Sequence, residues 1–348
     1  MQMNRSSALQ RIGPLADLPA VLEPYGVPVE EVFRGLDVGP DCLMPDNFLP
    51  LSTILPILQR SAELTGCPHI GLTIGARCDH ACLGRIGRLM ACAPTLREAL
   101  RDFVGWQIGN SRAAAVYLQR TDSGFIIGYG ICDRHTAGAA HLYDLGLAIA
   151  CNFIRALSGG LARPEAVLIS HRAPADIAPY RQVLQAPLLF GQDQTGIILT
   201  RSSMDARNPG AHPGERRRAL EDLQAPAARY ETSARVRHAL RAEIQFGDAS
   251  LSAVAAKLGV HPRTLERQLA GEGSGFEALR DEVRQIVACE LLDLTDLPIG
   301  DISITLGFAT HSAFAHAFRR WTGTSPSRYR ASSVPPSTAN QTAPVDLV

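Results

Sequence analysis

The sequence predicts an α+β N-terminal domain followed by an all-α domain in which a long helix joins two helix-turn-helix units. Three observations lead there. Up to about residue 200, helical periodicities alternate with short β-like runs, and one pair of runs brackets a turn signal. From 233 to 330 the pattern is helical throughout. Within that second stretch, a short apolar helix, a Leu-Gly-apolar turn and a second helix follow one another twice. A chain of 348 residues has room for two cores, and 46% hydrophobic with 20% charged residues is globular composition, which excludes a disordered or fibrous chain.

The elements follow in order. Met1 to Pro14 has Arg5 and Arg11 but no continuous apolar core, so it is not read as a secretory signal. No apolar run reaches the length of a membrane span. Eight cysteines in apolar or helical contexts, without an export signal, point to reduced thiols in a soluble cytoplasmic protein. Asn47 to Thr65 places Leu51, Ile54, Leu55, Leu58 and Ala62 at helical spacing and is closed by Gly66. Thr95 caps a helix running through Leu96, Ala99, Leu100 and Phe103. Val116 to Leu118 and Phe125 to Ile127 flank Thr121-Asp122-Ser123-Gly124, a hairpin. A long helix is expected from Ala137 to Leu157, a strand from Ala166 to Ser170, a helix from Asp176 to Leu184 and a strand over Ile197 to Leu199. This domain is assigned residues 1–200. Residues 201–232, with Pro209, Gly210, Pro213, Gly214 and Arg216-Arg217-Arg218, read as a linker holding a short helix. Residues 331–348, rich in Ser, Pro, Thr and Ala, read as a disordered tail.

In residues 233–330 the first unit is Leu251 to Val260 followed by His261 to Leu269. The second is Ile299 to Phe308 followed by Ala309 to Arg320. Gly259 and Gly307 sit where a first helix closes in the left-handed conformation. In the second helix of the first unit Leu265 and Leu269 point inward, while Arg263, Glu266, Arg267 and Ala270 form the opposite stripe. In the second unit Phe314, Ala317, Phe318 and Trp321 form the buried stripe, with Ser312, Ala313, His316, Arg319 and Arg320 outward or at its edges. Faces of this kind suit a DNA major groove, where arginine grips guanine with two hydrogen bonds. Charge agrees locally. The whole chain has 34 Lys+Arg against 34 Asp+Glu, which argues against a bulk electrostatic binder, yet Ile302 to Arg330 contains no acid. Glu277, Asp281, Glu282, Glu290 and Asp293 crowd the helix between the units.

The ending from Gly307-Phe308 through Phe318-Arg-Arg-Trp-Thr-Gly-Thr-Ser-Pro-Ser-Arg-Tyr-Arg330 resembles the AraC/XylS family of bacterial transcription regulators. The resemblance covers 233–330, with Phe276 to Leu294 as the connecting helix. It implies that two recognition helices enter successive major-groove segments, with Arg263, Glu266 and Arg267 facing bases from the first and Ser312, Ala313 and His316 from the second. Arg319 and Arg320 complete the DNA-facing set. Ser303 stands where the family often has alanine, and His316 where arginine is common. Imidazole lacks the arginine fork, which shifts sequence discrimination toward Arg263 and Arg267. In the first half, Pro50-Leu51-Ser to Thr65-Gly66, Ile70-Gly71-Leu72, Ala93 to Leu100 and Arg172-Ala-Pro to Tyr180 are similar to the arabinose-binding-type N-terminal domain of a subgroup that includes ornithine-utilisation regulators. That resemblance implies a small-molecule effector, a homodimer, contact with RNA polymerase at a promoter or operator, and activation of transcription.

Other readings weigh less. Cys78, His80 and Cys82 suggest a thiol- or metal-responsive regulator, but one helix cannot turn all three inward and the spacing matches no common zinc pattern; buried free thiols are expected, and no metal or cofactor. Arg216 to Arg218 are read as a solvated face, His141 and His171 as structural, and Tyr129, Tyr143 and Trp106 as core positions that could instead line a pocket. Gly71-x-x-x-Gly75 is too little for a phosphate loop. A nucleophile elbow and a His-Glu-x-x-His motif are both missing, so an enzyme is not expected.

Overall fold

A computed structural model describes residues 9–107, 110–111, 113–132, 134–224 and 232–333. The chain starts with β1 (Leu9–Arg11), α1 (Leu18–Leu22) and α2 (Val29–Phe33). It then runs through β2 (Phe48–Pro50), which pairs antiparallel with β1, and α3 (Leu51–Thr65). Next come α4 (Ile70–Ala76), α5 (Arg85–Ala91) and α6 (Leu96–Trp106), the last capped by Thr95, whose Oγ1 accepts the Glu98 amide. The hairpin is β3 (Ala114–Arg120) with β4 (Gly124–Ile131), in antiparallel register from Ala114–Ile131 to Arg120–Phe125. After it come α7 (Ala139–Leu157), β5 (Ala166–Ile169), α8 (Ala178–Leu184), β6 (Leu188–Phe190) and β7 (Thr195–Thr200). The main sheet has the order β3-β4-β7-β5-β6, antiparallel except for the β5–β6 pair.

Helix α7 is buried along most of its length and forms the spine of this domain. Helix α4 lies so close to it that a Cβ on Gly71 would sit 1.9 Å from the His141 carbonyl oxygen, and one on Gly75 2.5 Å from that of Leu145. The two glycines therefore serve helix–helix approach.

The segment read as a linker belongs to this domain as far as residue 224. It forms α9 (Arg201–Met204) and α10 (Pro213–Gln224). The buried Asn208 amide donates to the carbonyls of Ala91 and Ala93, both at 2.8 Å. Arg216, expected on a solvated face, donates to buried Asp102 at 2.5 Å. Polar composition suggested solvent, but these side chains find their partners on the preceding helices. Residues 225–231 of the expected linker lie outside the described residues.

The second domain comprises α11 (Thr232–Phe246), α12 (Leu251–Lys257), α13 (Pro262–Gly271), α14 (Phe276–Leu294), α15 (Ile299–Thr305), α16 (His311–Thr322) and α17 (Pro326–Ser333). Its core joins Val254, Leu265, Leu269, Val283, Val287, Leu291, Phe314 and Phe318. The expected tail begins later than residue 331, because α17 continues to Ser333; residues 334–348 lie outside the described residues. None of the described helices is long and apolar enough to cross a membrane.

Helix α11 packs on α14 and α12 on one side and on α6 and β3 on the other. Every residue from Ala239 to Phe246 is buried. Its polar side chains are matched by both domains: Arg241 pairs with Glu290, Glu243 with Arg101 and Lys257, and Gln245 Oε1 accepts the Leu118 amide of β3 at 2.8 Å. Tyr117 of β3, 1% exposed, packs into the core of the second domain.

Candidate functional site

The first helix-turn-helix unit is α12 and α13. Gly259, at φ +70°, takes the left-handed turn that closes α12. Ser250 caps α12 through the Ala253 amide, and His261 Nδ1 accepts the Arg263 amide at the start of α13, where Pro262 has no amide hydrogen to lose. Leu265 and Leu269 point into the core, while Arg263, Glu266 and Arg267 are exposed. The second unit, α15 and α16, repeats the arrangement with Gly307 at φ +73° and Thr310 capping α16 through Ala313. Phe314 and Phe318 are buried, whereas Ser312, Ala313, His316, Arg319 and Arg320 are exposed.

Pairing separates the arginines. On α14, Glu282 holds Arg237, Glu290 holds Arg241, and Asp281 holds Arg320 at 2.6 Å. Arg320 is thus paired with the connecting helix while its side chain stays 66% exposed. Arg263, Arg267 and Arg319 make no ion pair among the described residues. Ser303, which the sequence marks only as a polar oddity, is buried, and its hydroxyl donates to the Thr310 carbonyl at 3.3 Å, joining the two helices of the second unit at the cap.

A second set of polar groups lies between the domains. Arg134 spends its guanidinium on the second domain: Nε and Nη2 each donate to Asp296 and Nη1 to the Asp293 carbonyl, all at 2.8 Å. At Gly130 of β4 a Cβ would stand 2.5 Å from the Leu294 carbonyl oxygen, so the end of α14 rests against the sheet. Beside this clamp opens a cavity of about 500 Å³, walled by β4, the start of α7, the end of β5, the β6–β7 turn and Thr295–Asp296. Tyr129 and Tyr143 line it, their ring centroids 5.9 Å apart and the planes at 85°. His171 also faces it, with Nε2 2.9 Å from Oδ1 of buried Asp144, whose Oδ2 accepts the Tyr180 hydroxyl at 2.6 Å. Burial would lower the His171 pKa, but the hydrogen bond and charge of Asp144 outweigh it and leave the imidazole above its ordinary value.

Trp106 faces a different interdomain space, with its ring against His238 of α11 at 3.6 Å between centroids. Burial, reinforced by the charges of Arg241 and Lys257, pushes the His238 pKa down to about 4. Cys78 is buried with Sγ 3.7 Å from the Pro14 carbonyl oxygen, and the Cys82 thiol lies within its hydrogen-bonding reach. His80 stands between them on a short 3-10 turn, not an α-helix. Among the described residues no group of three or more His, Cys, Asp or Glu is placed to hold a metal ion.

Comparison with known proteins fits both domains. The family model for the arabinose-binding domain at the N-terminus of AraC transcription regulators matches residues 26–208, and a helix-turn-helix domain model matches 254–332. The chain is 28% identical over 290 residues to the HTH-type transcriptional regulator VirS of Mycobacterium tuberculosis, covering 82% of this chain and 85% of that relative. It is 26% identical over 332 residues to the Ornithine utilization regulator of Pseudomonas aeruginosa, covering 91% and 96%. Among solved structures it is similar to the transcriptional regulator CdpR of Pseudomonas aeruginosa, at 23% identity and a TM-score of 0.42 over 75% of this chain and 86% of that one. The chain belongs to the AraC family of DNA-binding transcription regulators, a non-enzymatic family, with an N-terminal ligand-binding domain of the arabinose-binding type.

Proposed function

We propose that this regulator reads its operator with α13 and α16 in successive major-groove segments. Arg263, Glu266 and Arg267 face bases from α13, and Ser312, Ala313 and His316 from α16. The observation that carries this reading is that Arg263 and Arg267, on the outer stripe of α13, are exposed and make no ion pair among the described residues, whereas Arg237, Arg241, Arg280 and Arg320 of the same domain are held by acids. Arg319, exposed and without an ion pair among the described residues, is assigned to phosphate. Arg320 acts as a strut to Asp281.

A small-molecule effector binds the N-terminal domain and acts through the contacts of α11 and the Arg134 clamp, since a ligand changes DNA binding only if it favours one domain arrangement. The regulator works as a homodimer that activates transcription through RNA polymerase. The test is selection of DNA sites by the full chain, then footprinting and transcription in vitro with polymerase. Loss of site preference in Arg263→Ala and Arg267→Ala is expected, and unaltered preference in both would refute the assignment.

A thiol-responsive reading has the proximity of Cys78 and Cys82 in its favour. Replacing both by serine decides it: abolished response to oxidant supports this reading, and an unchanged response removes it.

A further inference from the structure

The cavity beside the Arg134 clamp holds more information than its position. Its volume, about 500 Å³, suits a small metabolite. Both domains wall it, because Thr295 and Asp296 face the sheet and α7 across it.

The lining charges discriminate between classes of ligand. Among the described residues Arg134 is the lining arginine; three of its five N–H groups go to Asp296 and the Asp293 carbonyl, and Asp296 answers its charge. A charge on His171 is answered by Asp144 directly behind it. His135, exposed at the mouth, stands 4.0 Å from Asp296. Asp193, exposed on the β6–β7 turn, makes no ion pair among the described residues. Among the lining residues other than histidine, Arg134 and Asp296 balance and Asp193 leaves one negative charge. Tyr129 and Tyr143 add two aromatic rings to the lining, and a ring face attracts a cation. A carboxylate ligand would meet the Asp193 charge.

We propose that this cavity binds a small organic cation, an amine or quaternary ammonium compound, held between Asp193 and the Tyr129–Tyr143 pair. The proposal rests on the effector reading above and names the chemistry of the effector. A cation seated there touches both domains, so its binding favours their docked arrangement.

The test uses the full chain at low ionic strength, with calorimetry and thermal shift against choline, putrescine and histamine, beside benzoate, succinate and glucose. Binding of at least one amine, with no binding of the carboxylates, is the expected result. Asp193→Asn, on an exposed turn, weakens that binding about 2- to 5-fold. Tyr129→Leu weakens it about 3- to 30-fold, whereas Tyr129→Phe, which keeps the ring, retains it. Binding of carboxylates or glucose without amines overturns the cation proposal and leaves the effector reading standing. Amine binding that is equal in Asp193→Asn and Tyr129→Leu overturns the site. Absence of binding by all six compounds overturns the proposal and counts against the effector reading as well.

Discussion

Replacing Asp296 by alanine tests whether the two domains are held together by Arg134. The perturbation removes two of its three bonds, both from the guanidinium to one carboxylate at 2.8 Å. Charge-assisted bonds contribute about 1.5–3 kcal/mol each in protected settings. Here the Arg134 side chain is 9% exposed but that of Asp296 is 49% exposed, so hydration of the carboxylate discounts the pair to about 2 kcal/mol in total. Such a loss raises the undocked population about 30-fold. The Leu118 amide is a suitable reporter, because it is paired across the interface to Gln245 rather than within the sheet. Hydrogen exchange at Leu118 is expected to accelerate about 30-fold in Asp296→Ala, while the ladder between β4 and β7 keeps its protection. Unchanged exchange at Leu118 would show that the clamp does not control docking. A parallel loss of protection across the whole sheet would show general destabilisation instead.

Other expectations follow from single residues. Arg267→Ala lowers specific DNA affinity by about 1–3 kcal/mol and relaxes selection at one base pair, and an equal loss on every sequence would assign it to phosphate. His238 is held neutral with its pKa pushed from 6.5 down to about 4. Its contribution is complete above 6.5 and is lost as pH falls toward 4, about 1 kcal/mol by pH 5.5. Melting temperature should therefore fall between pH 7 and 5 more steeply in the wild type than in His238→Gln, and superimposable profiles would refute the burial argument. Asn208→Ala strands the carbonyls of Ala91 and Ala93 and costs about 2 kcal/mol in denaturant unfolding. A change within about 0.5 kcal/mol would mean that water replaces the amide.

The second domain was legible because its signals are local. Helix caps, the Leu-Gly turns and apolar spacing lie within a few residues of what they specify, and α14 spans Phe276–Leu294 as expected. The hairpin Thr121–Gly124 was readable for the same reason. Strands β1, β2 and β6 have three residues each, too few to show a period, and they exist through pairing with distant chain. Asn208 and Arg216 resembled solvated linker because their partners lie more than a hundred positions away. Arg241, Glu243 and Gln245 are polar residues in a helix, and nothing in their local spacing shows that distant chain segments close over them. The outer stripes of α13 and α16 could be read from spacing, but the pairing of Arg320 with Asp281 could not, since exposure on a helix says nothing about what a neighbouring helix offers. The cavity gathers residues from 117 to 296, a span over which no sequence pattern operates.

Strand β3 has β4 as its one strand neighbour among the described residues, and α11, α14 and α15 of the second domain pack against it. During synthesis its other edge emerges well before Gln245, which takes up the Leu118 amide 127 positions later. A nascent or truncated chain ending before α11 therefore presents an open, largely apolar strand edge of the kind that recruits other chains. The DNA-binding half thus shields its predecessor, and the first half alone should be the aggregation-prone piece.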